Sequence, residues 1–189
     1  RYEGHSKKHE MHGHGVFEWA NGNRYEGQLR DGKKHGQGVH ESLRGSRYEG
    51  QWKDDVFHGQ GVHEMPDGSR YEGQFKQYLL DGLGVWENAS GSRRFEGEWK
   101  KGWPNGQGVA EFVDGQRNSG QWKDAKQHGR GSIEWPDGSI FEGVFKEQLR
   151  HGQGVYTSAV GERTEGVWKD DNMHGRMFRT TEQGENLIM

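Results

Sequence analysis

Cysteine is absent from the 189 residues, which excludes a disulfide framework and a thiolate metal site. Proline is scarce, at 3, and no apolar run approaches the roughly 20 residues that a membrane helix needs. Charge of one sign is missing too. The 26 basic residues stand against 29 acidic ones, a net charge of −3, so nucleic acid is not an expected partner. No signal peptide is visible, and the chain opens at Arg1 partway into a pattern that recurs downstream; it reads as a piece of a longer protein. Leu, Ile, Val and Phe together number only 29, a level at which disorder is suspected. Aromatic residues at 12% and the small net charge argue against disorder. With 33 glycines in the chain, repetition is the next thing to test.

A tripeptide of the form Tyr-Glu-Gly opens repeats at Tyr2, Tyr25, Tyr48, Tyr71, Phe95, Asn118, Phe141 and Thr164. The step is 23 residues except between Tyr71 and Phe95, where it is 24. Counted from that first residue, glycine holds places 3, 12 and 21 in all eight repeats and place 14 in seven, Met177 being the exception. Gly32 and Gly102, both at place 8, complete the glycines. Within a repeat, Tyr48-Glu49-Gly50-Gln51-Trp52-Lys53 alternates, which predicts a strand with Tyr48, Gly50 and Trp52 on one face. Asp54–His58 is expected as a connection, Gly59–Glu64 as a second strand, and Pro66-Asp67-Gly68 as a turn. Short connections make neighbouring strands antiparallel. The fold class is therefore all-β: an elongated, single-layer, twisted antiparallel meander of about eight β-hairpin repeats, one array over residues 1–189. Sixteen strands would extend roughly 75 Å. A lone hairpin cannot bury its aromatics, so stability must accumulate along the stack. Place 5 supplies a large apolar group from Leu29 to Trp168, expected to lie on glycine backbone opposite.

The run Tyr48–Lys53 followed by His58-Gly59-Gln60-Gly61-Val62 resembles the MORN repeat (membrane occupation and recognition nexus), and the resemblance covers essentially the whole chain. It implies a twisted ribbon of hairpins. Such arrays occur in junctional membrane proteins, plant phosphatidylinositol phosphate kinases, a lysine methyltransferase and protist cytoskeletal scaffolds. Catalytic members carry their chemistry in other domains, and several cytoskeletal members dimerise through terminal repeats. The chain departs from the pattern at Asn118-Ser119, Thr164 and Met177.

The expectation is a non-enzymatic scaffold, cytoplasmic and cytoskeleton-associated, working near the inner face of the plasma membrane, with itself and cytoskeletal proteins as partners. A phosphoinositide-binding module and a regulatory domain of a larger enzyme are the alternatives. No thiol, serine nucleophile elbow or phosphate loop supports catalysis, and no cofactor is expected. Lysines at place 6, among them Lys53, Lys76, Lys100, Lys123 and Lys146, are candidate headgroup ligands, set against internal pairing of the Lys/Arg rows with rows of glutamate. The last repeat, with Met177, Phe178, Leu187 and Ile188, is either a cap or a dimer contact. Val56, Phe57, Tyr78, Leu79, Leu80 and Trp103 form an apolar stripe at hairpin tips, either folded back or offered to a partner. Six histidines at place 11 are expected to bond backbone at the bend, because equivalent residues lie too far apart to share a metal. His5, His9, His12 and His14 are dense enough for adventitious metal binding only.

Overall fold

A computed structural model of the chain describes residues 1–181 and 186–188. No helix occurs among them. The chain divides into two compact units, residues 1–91 with 99–102, and residues 92–98 with 103–189. The first holds β1 (Tyr2–Lys7), β2 (Glu10–Glu18), β3 (Arg24–Arg30), β4 (Lys33–Glu41), β5 (Arg47–Lys53), β6 (Val56–Glu64), β7 (Arg70–Lys76) and β8 (Leu79–Glu87). β9 (Arg93–Lys100) contributes Trp99 and Lys100 to the first unit and its remaining residues to the second. The second unit continues with β10 (Trp103–Phe112), β11 (Arg117–Lys123), β12 (Lys126–Glu134), β13 (Ile140–Lys146), β14 (Leu149–Thr157), β15 (Arg163–Lys169), β16 (Asn172–Thr180) and β17 (Asn186–Ile188). From β1 to β8 and from β10 to β17 each strand pairs antiparallel with its chain neighbour. Each unit is thus an open meander of hairpins, two strands to a repeat.

The first connection is tighter than the expected Asp54–His58. Only Asp54 and Asp55 turn, with φ of 49° and 71°, and β6 already begins at Val56. Two successive left-handed residues twist the chain the same way as the flanking strands, which suits a two-residue hairpin. The same pair of places is left-handed in every repeat, from Lys8-His9 to Asp170-Asp171. Glycine fills it only at Gly32 and Gly102, so most repeats hold a side chain there against its preference. The second connection follows the expectation: Met65 accepts from Gly68 N–H at 2.9 Å, and Gly68 has φ of 86°. The extra residue of the 24-residue repeat lies between Gly91 and Phe95, at the start of β9, which is one residue longer than β7.

Alternation is interrupted once per hairpin. Gly50 pairs with Gly61, yet Trp52 pairs with Phe57, so the register slips between them. One residue separates Gly50 from Trp52 but three separate Phe57 from Gly61, so the second strand carries two additional residues there, a β-bulge. Gln51 Oε1 accepts the Gln60 N–H at 3.1 Å across this irregularity. Gln28, Gln74, Glu98 and Gln121 serve the corresponding amides.

Packing reverses one expectation. The ring lying on bare glycine is the place 1 aromatic of the same hairpin, not the place 5 residue. A Cβ on Gly61 would sit 2.6 Å from Tyr48 Oη, and one on Gly50 would sit 2.5 Å from Gly61 Cα. The hydroxyls of Tyr25, Tyr48 and Tyr71 donate to the carbonyls of Gln28, Gln51 and Gln74 at 2.8, 2.8 and 3.2 Å. Burial pushes the phenol of Tyr71 up to about 12 and those of Tyr25 and Tyr48 higher still, so they remain donors. Place 5 bridges repeats instead. Trp52 meets Tyr48 and the preceding repeat's Tyr25 edge-on, with centroids 5.1 and 5.4 Å apart. Its indole N–H donates to Gly38 O at 3.0 Å, and Trp99 and Trp122 repeat that bond to Gly84 and Gly108. Each such buried ring contributes roughly 1.5–3 kcal/mol, and because it touches two repeats it couples them.

Candidate functional site

The outer face, opposite the rings, carries the charges. Arginines just before each repeat (Arg24, Arg47, Arg70, Arg94 and Arg163) pair with the place 2 glutamate two residues on, at 2.5–3.1 Å. Arg117, whose repeat has Ser119 there, pairs with Glu111 instead at 3.6 Å. That row is neutralised internally. The place 6 row is different: among the described residues no ion pair reaches Lys53, Lys76, Lys100, Lys123 or Lys146, which are exposed. Pairing within each strand, rather than across strands, thus accounts for most of one basic row and leaves the candidate headgroup ligands available.

The histidines do not bond backbone as expected. Place 11 imidazoles face the carboxylate at the next repeat's turn: His12 to Asp31 at 3.6 Å, His35 to Asp54 at 3.6 Å, His128 to Glu147 at 3.5 Å and His151 to Asp170 at 3.3 Å. Strand pairing puts place 11 beside place 6 of the following repeat, as His58 opposite Lys76 illustrates, and the turn residue comes next. His5, His9 and His14 lie exposed, and no group of three or more His, Asp or Glu among the described residues could hold a metal ion.

On the ring face, place 10 carries a cation in two repeats. In the first unit Lys34 Nζ lies 4.2 Å from the Trp52 ring, 5.6 Å from Trp19 and 5.7 Å from Tyr25. Burial lowers its pKa, and Asp55 opposes that shift. In the second unit the Arg150 guanidinium lies 4.4 Å from Trp168 and 5.5 Å from Phe141. Both backbone amides donate to an aspartate at the next turn, Asp55 and Asp171, at 2.9 Å. These cations over aromatic faces have a periodicity signal only in hindsight, because place 10 is otherwise Met, Phe, Leu, Pro or Gln.

Around each cation the same repeat places carry rings. In the first unit His40 stands between Trp19 and Trp52, 5.8 and 6.1 Å from them. In the second unit a cleft of about 730 Å³ remains, walled by Trp135, Tyr156 and Trp168, with Arg150 at its side and Pro136, Asp137 and Asp171 at its rim. Beneath it lies a core of Phe141, Phe145, Trp168 and Met177.

The apolar stripe is split by the fold. Phe57 turns inward and stacks on Tyr48, centroids 3.7 Å apart and planes within 5°. Leu80 pairs opposite Phe75 and is half-buried, as is Val56. Tyr78 and Leu79 remain about half exposed, and Trp103 is 60% exposed. Of the last-repeat residues, Met177 is buried over Gly166, which its sulfur would block against any Cβ, so it is not available to a partner. Phe178 is 57% exposed. Leu187 and Ile188 belong to β17, which pairs with β16; their side chains lie outside the described residues.

The MORN repeat family model matches residues 2–24, 25–47, 48–70, 71–93, 95–117, 119–140, 141–163 and 165–176. No curated protein sequence matches the chain significantly. Among solved structures it is similar to the Drosophila melanogaster SAS-4 (dCPAP) TCP domain in complex with a proline-rich motif of Ana2. That likeness has 16% identity and a TM-score of 0.36 over 93% of this chain and 83% of that one. It is also similar to the TCP10 domain of Danio rerio CPAP in complex with a STIL peptide, at 12% identity and a TM-score of 0.34, over 99% and 97% of the two chains. A Staphylococcus aureus virginiamycin B lyase matches at 12% identity with a TM-score of 0.19, over 100% of this chain and 73% of that one. Scores this low carry no function across. The eight matches do settle kinship: the chain belongs to the MORN-repeat family.

Proposed function

We propose that the chain is a non-enzymatic scaffold that binds a segment of a protein partner on the ring face of its repeats, within a cytoskeletal or membrane-proximal assembly. The observation that supports this is the open cleft of Trp135, Tyr156 and Trp168. The matching places in the first unit hold Trp19, His40 and Trp52 around Lys34, so the arrangement of three rings and a cation recurs in both units. Aromatic walls with a few polar groups at the rim suit an amphipathic segment. The test is affinity capture with the wild type and with Trp135→Ala, read by quantitative mass spectrometry. One or more proteins should be lost with the variant while circular dichroism is unchanged; an identical set of captured proteins removes the reading.

Self-association through the last repeat is part of the same proposal, carried by exposed Phe178. Light scattering after size exclusion should give the mass of two chains for the wild type and of one for Phe178→Asp. A monomeric wild type rules it out. Phosphoinositide binding is the second reading, favoured by the unpaired lysine row. Vesicles containing phosphatidylinositol 4,5-bisphosphate should retain the wild type and release a Lys53→Glu/Lys76→Glu/Lys100→Glu variant.

A further inference from the structure

A separate cleft of about 530 Å³ opens on the outer face of the first unit, where β3, β4, β5 and β6 lie side by side. Arg30, His35, Lys53 and His58 line it from four adjacent strands, with Trp52 at its floor. Two permanent cations and two imidazoles therefore surround one space. Among the described residues the carboxylate paired with them is Asp54, 3.5 Å from Arg30 and 3.6 Å from His35. Asp54 sits at the hairpin tip and is half exposed, so it can swing out of the way.

His35 Nδ1 is shielded from solvent and has no hydrogen-bond partner. Gln28 and Gln51, the polar neutral side chains of the cleft, already accept from backbone amides. The unspent hydrogen-bonding capacity is thus mainly donor capacity, on groups that are or can become cationic. We propose that this cleft binds a phosphate monoester, presented as a phosphoserine or phosphothreonine of a protein partner. A phosphate dianion offers three acceptor oxygens and about twice the charge of a carboxylate. A guanidinium beside an ammonium is the donor set that such a group takes up, the first as a planar fork and the second as a point charge.

The surroundings favour a single phosphate on a flexible chain over a membrane. Glu26 and Glu49 stand on the same face, and Asp31, Asp54 and Asp55 occupy the adjoining turns. A flat anionic bilayer would have to meet all of these carboxylates, whereas one phosphoryl group entering the cleft meets Asp54 alone. The counterpart place in the second unit has Glu147 paired with Lys126 at 2.8 Å as well as with His128 at 3.5 Å, a closer contact than Asp54 makes with Arg30 at 3.5 Å. The site does not depend on the ring-face cleft, and either can fail without the other.

The test is calorimetric titration with two flexible peptides that differ only in carrying phosphoserine or serine, and with inorganic phosphate as competitor. Phosphatidylinositol 4-phosphate vesicles form a parallel arm. The phosphopeptide should bind, the serine peptide should not, and phosphate should compete. Arg30→Gln/Lys53→Gln should weaken binding about tenfold or more, at exposed positions whose loss leaves circular dichroism unchanged. Asp54→Asn should tighten binding, a gain that misfolding cannot imitate; asparagine accepts the left-handed turn at least as well as aspartate. Equal binding of both peptides, no response to either variant, or retention by vesicles without phosphopeptide binding overturns the proposal.

Discussion

Gly61 and Gly32 answer to different constraints. At Gly61 a methyl group would press on the Tyr48 ring, 2.6 Å from Oη and 2.8 Å from Cε2. Gly61→Ala should therefore cost about 1–3 kcal/mol by overpacking. At Gly32 nothing lies within 4 Å, and the residue is there for its φ of 75°. Gly32→Ala should cost about 1 kcal/mol, the penalty of a left-handed alanine. Urea midpoints at constant m-value check both, and equal losses would show that the ring contact is not what selects Gly61. A second residue-scale prediction concerns His40 and His63. Burial lowers both imidazole pKa values, with Lys34 the next cause at His40. The folded state then takes up these protons less readily than the unfolded chain. Stability contributed this way is complete above the ordinary imidazole value and is lost as pH falls toward the lowered folded value. Between about pH 7 and about pH 5.5 the wild type should lose more stability than His40→Tyr/His63→Tyr, since Tyr156 already holds that place in the seventh repeat. Matching pH slopes in chemical denaturation would refute the account.

At the scale of one hairpin, the sixth repeat departs furthest from its neighbours. Asn118 stands where six of the other repeats have a ring, and the vacated space is filled by Gln127, which is fully buried. Its amide nitrogen donates to Ser119 O and Ser132 O at 3.2 and 3.1 Å, while its oxygen has no partner. A buried unpaired carbonyl costs about 1–3 kcal/mol. Restoring the fourth repeat's pair, Tyr71 with Leu80, through Asn118→Tyr/Gln127→Leu should stabilise the protein by about 1–3 kcal/mol. Asn118→Tyr alone should destabilise it, because the ring and Gln127 claim the same volume. Thermal unfolding of the single and double variants separates the two, and a destabilised double variant refutes the packing argument. The hairpins themselves were legible from the alternation around Trp52 and the Pro66-Asp67-Gly68 turn. The bulge and the two-residue turn were not, because Asp, Lys, Gln and Tyr at those places give no composition signal for a left-handed backbone.

For the whole chain, coupling runs through neighbours. Trp52 touches Tyr25 and Tyr48, and turn amides such as Asp55 N–H bond the preceding repeat at Lys34 O, 3.0 Å away. Contacts of this kind make stability a sum of local terms. Truncating Tyr48 to alanine should lose about 3–5 kcal/mol locally. Amide exchange should accelerate most in β3–β7 and least in β13–β16. Uniform acceleration across all strands would mean that the array unfolds as one unit and would contradict the neighbour-limited picture.

Periodicity alone determined the number of repeats, the strand pairs, the faces of Tyr48 and Trp52 and the membership of the family, because a period of two within a period of 23 leaves little freedom. It also exposed the two basic rows. The structure decided which row stays available: side-chain reach along one strand joins Arg47 to Glu49, and no ion pair among the described residues reaches Lys53. It decided that Phe57 turns inward onto Tyr48 and that Met177 is buried while Phe178 is exposed, and that a cleft opens beside Arg150. Such outcomes depend on how much space neighbouring repeats leave, and a linear pattern does not record volume.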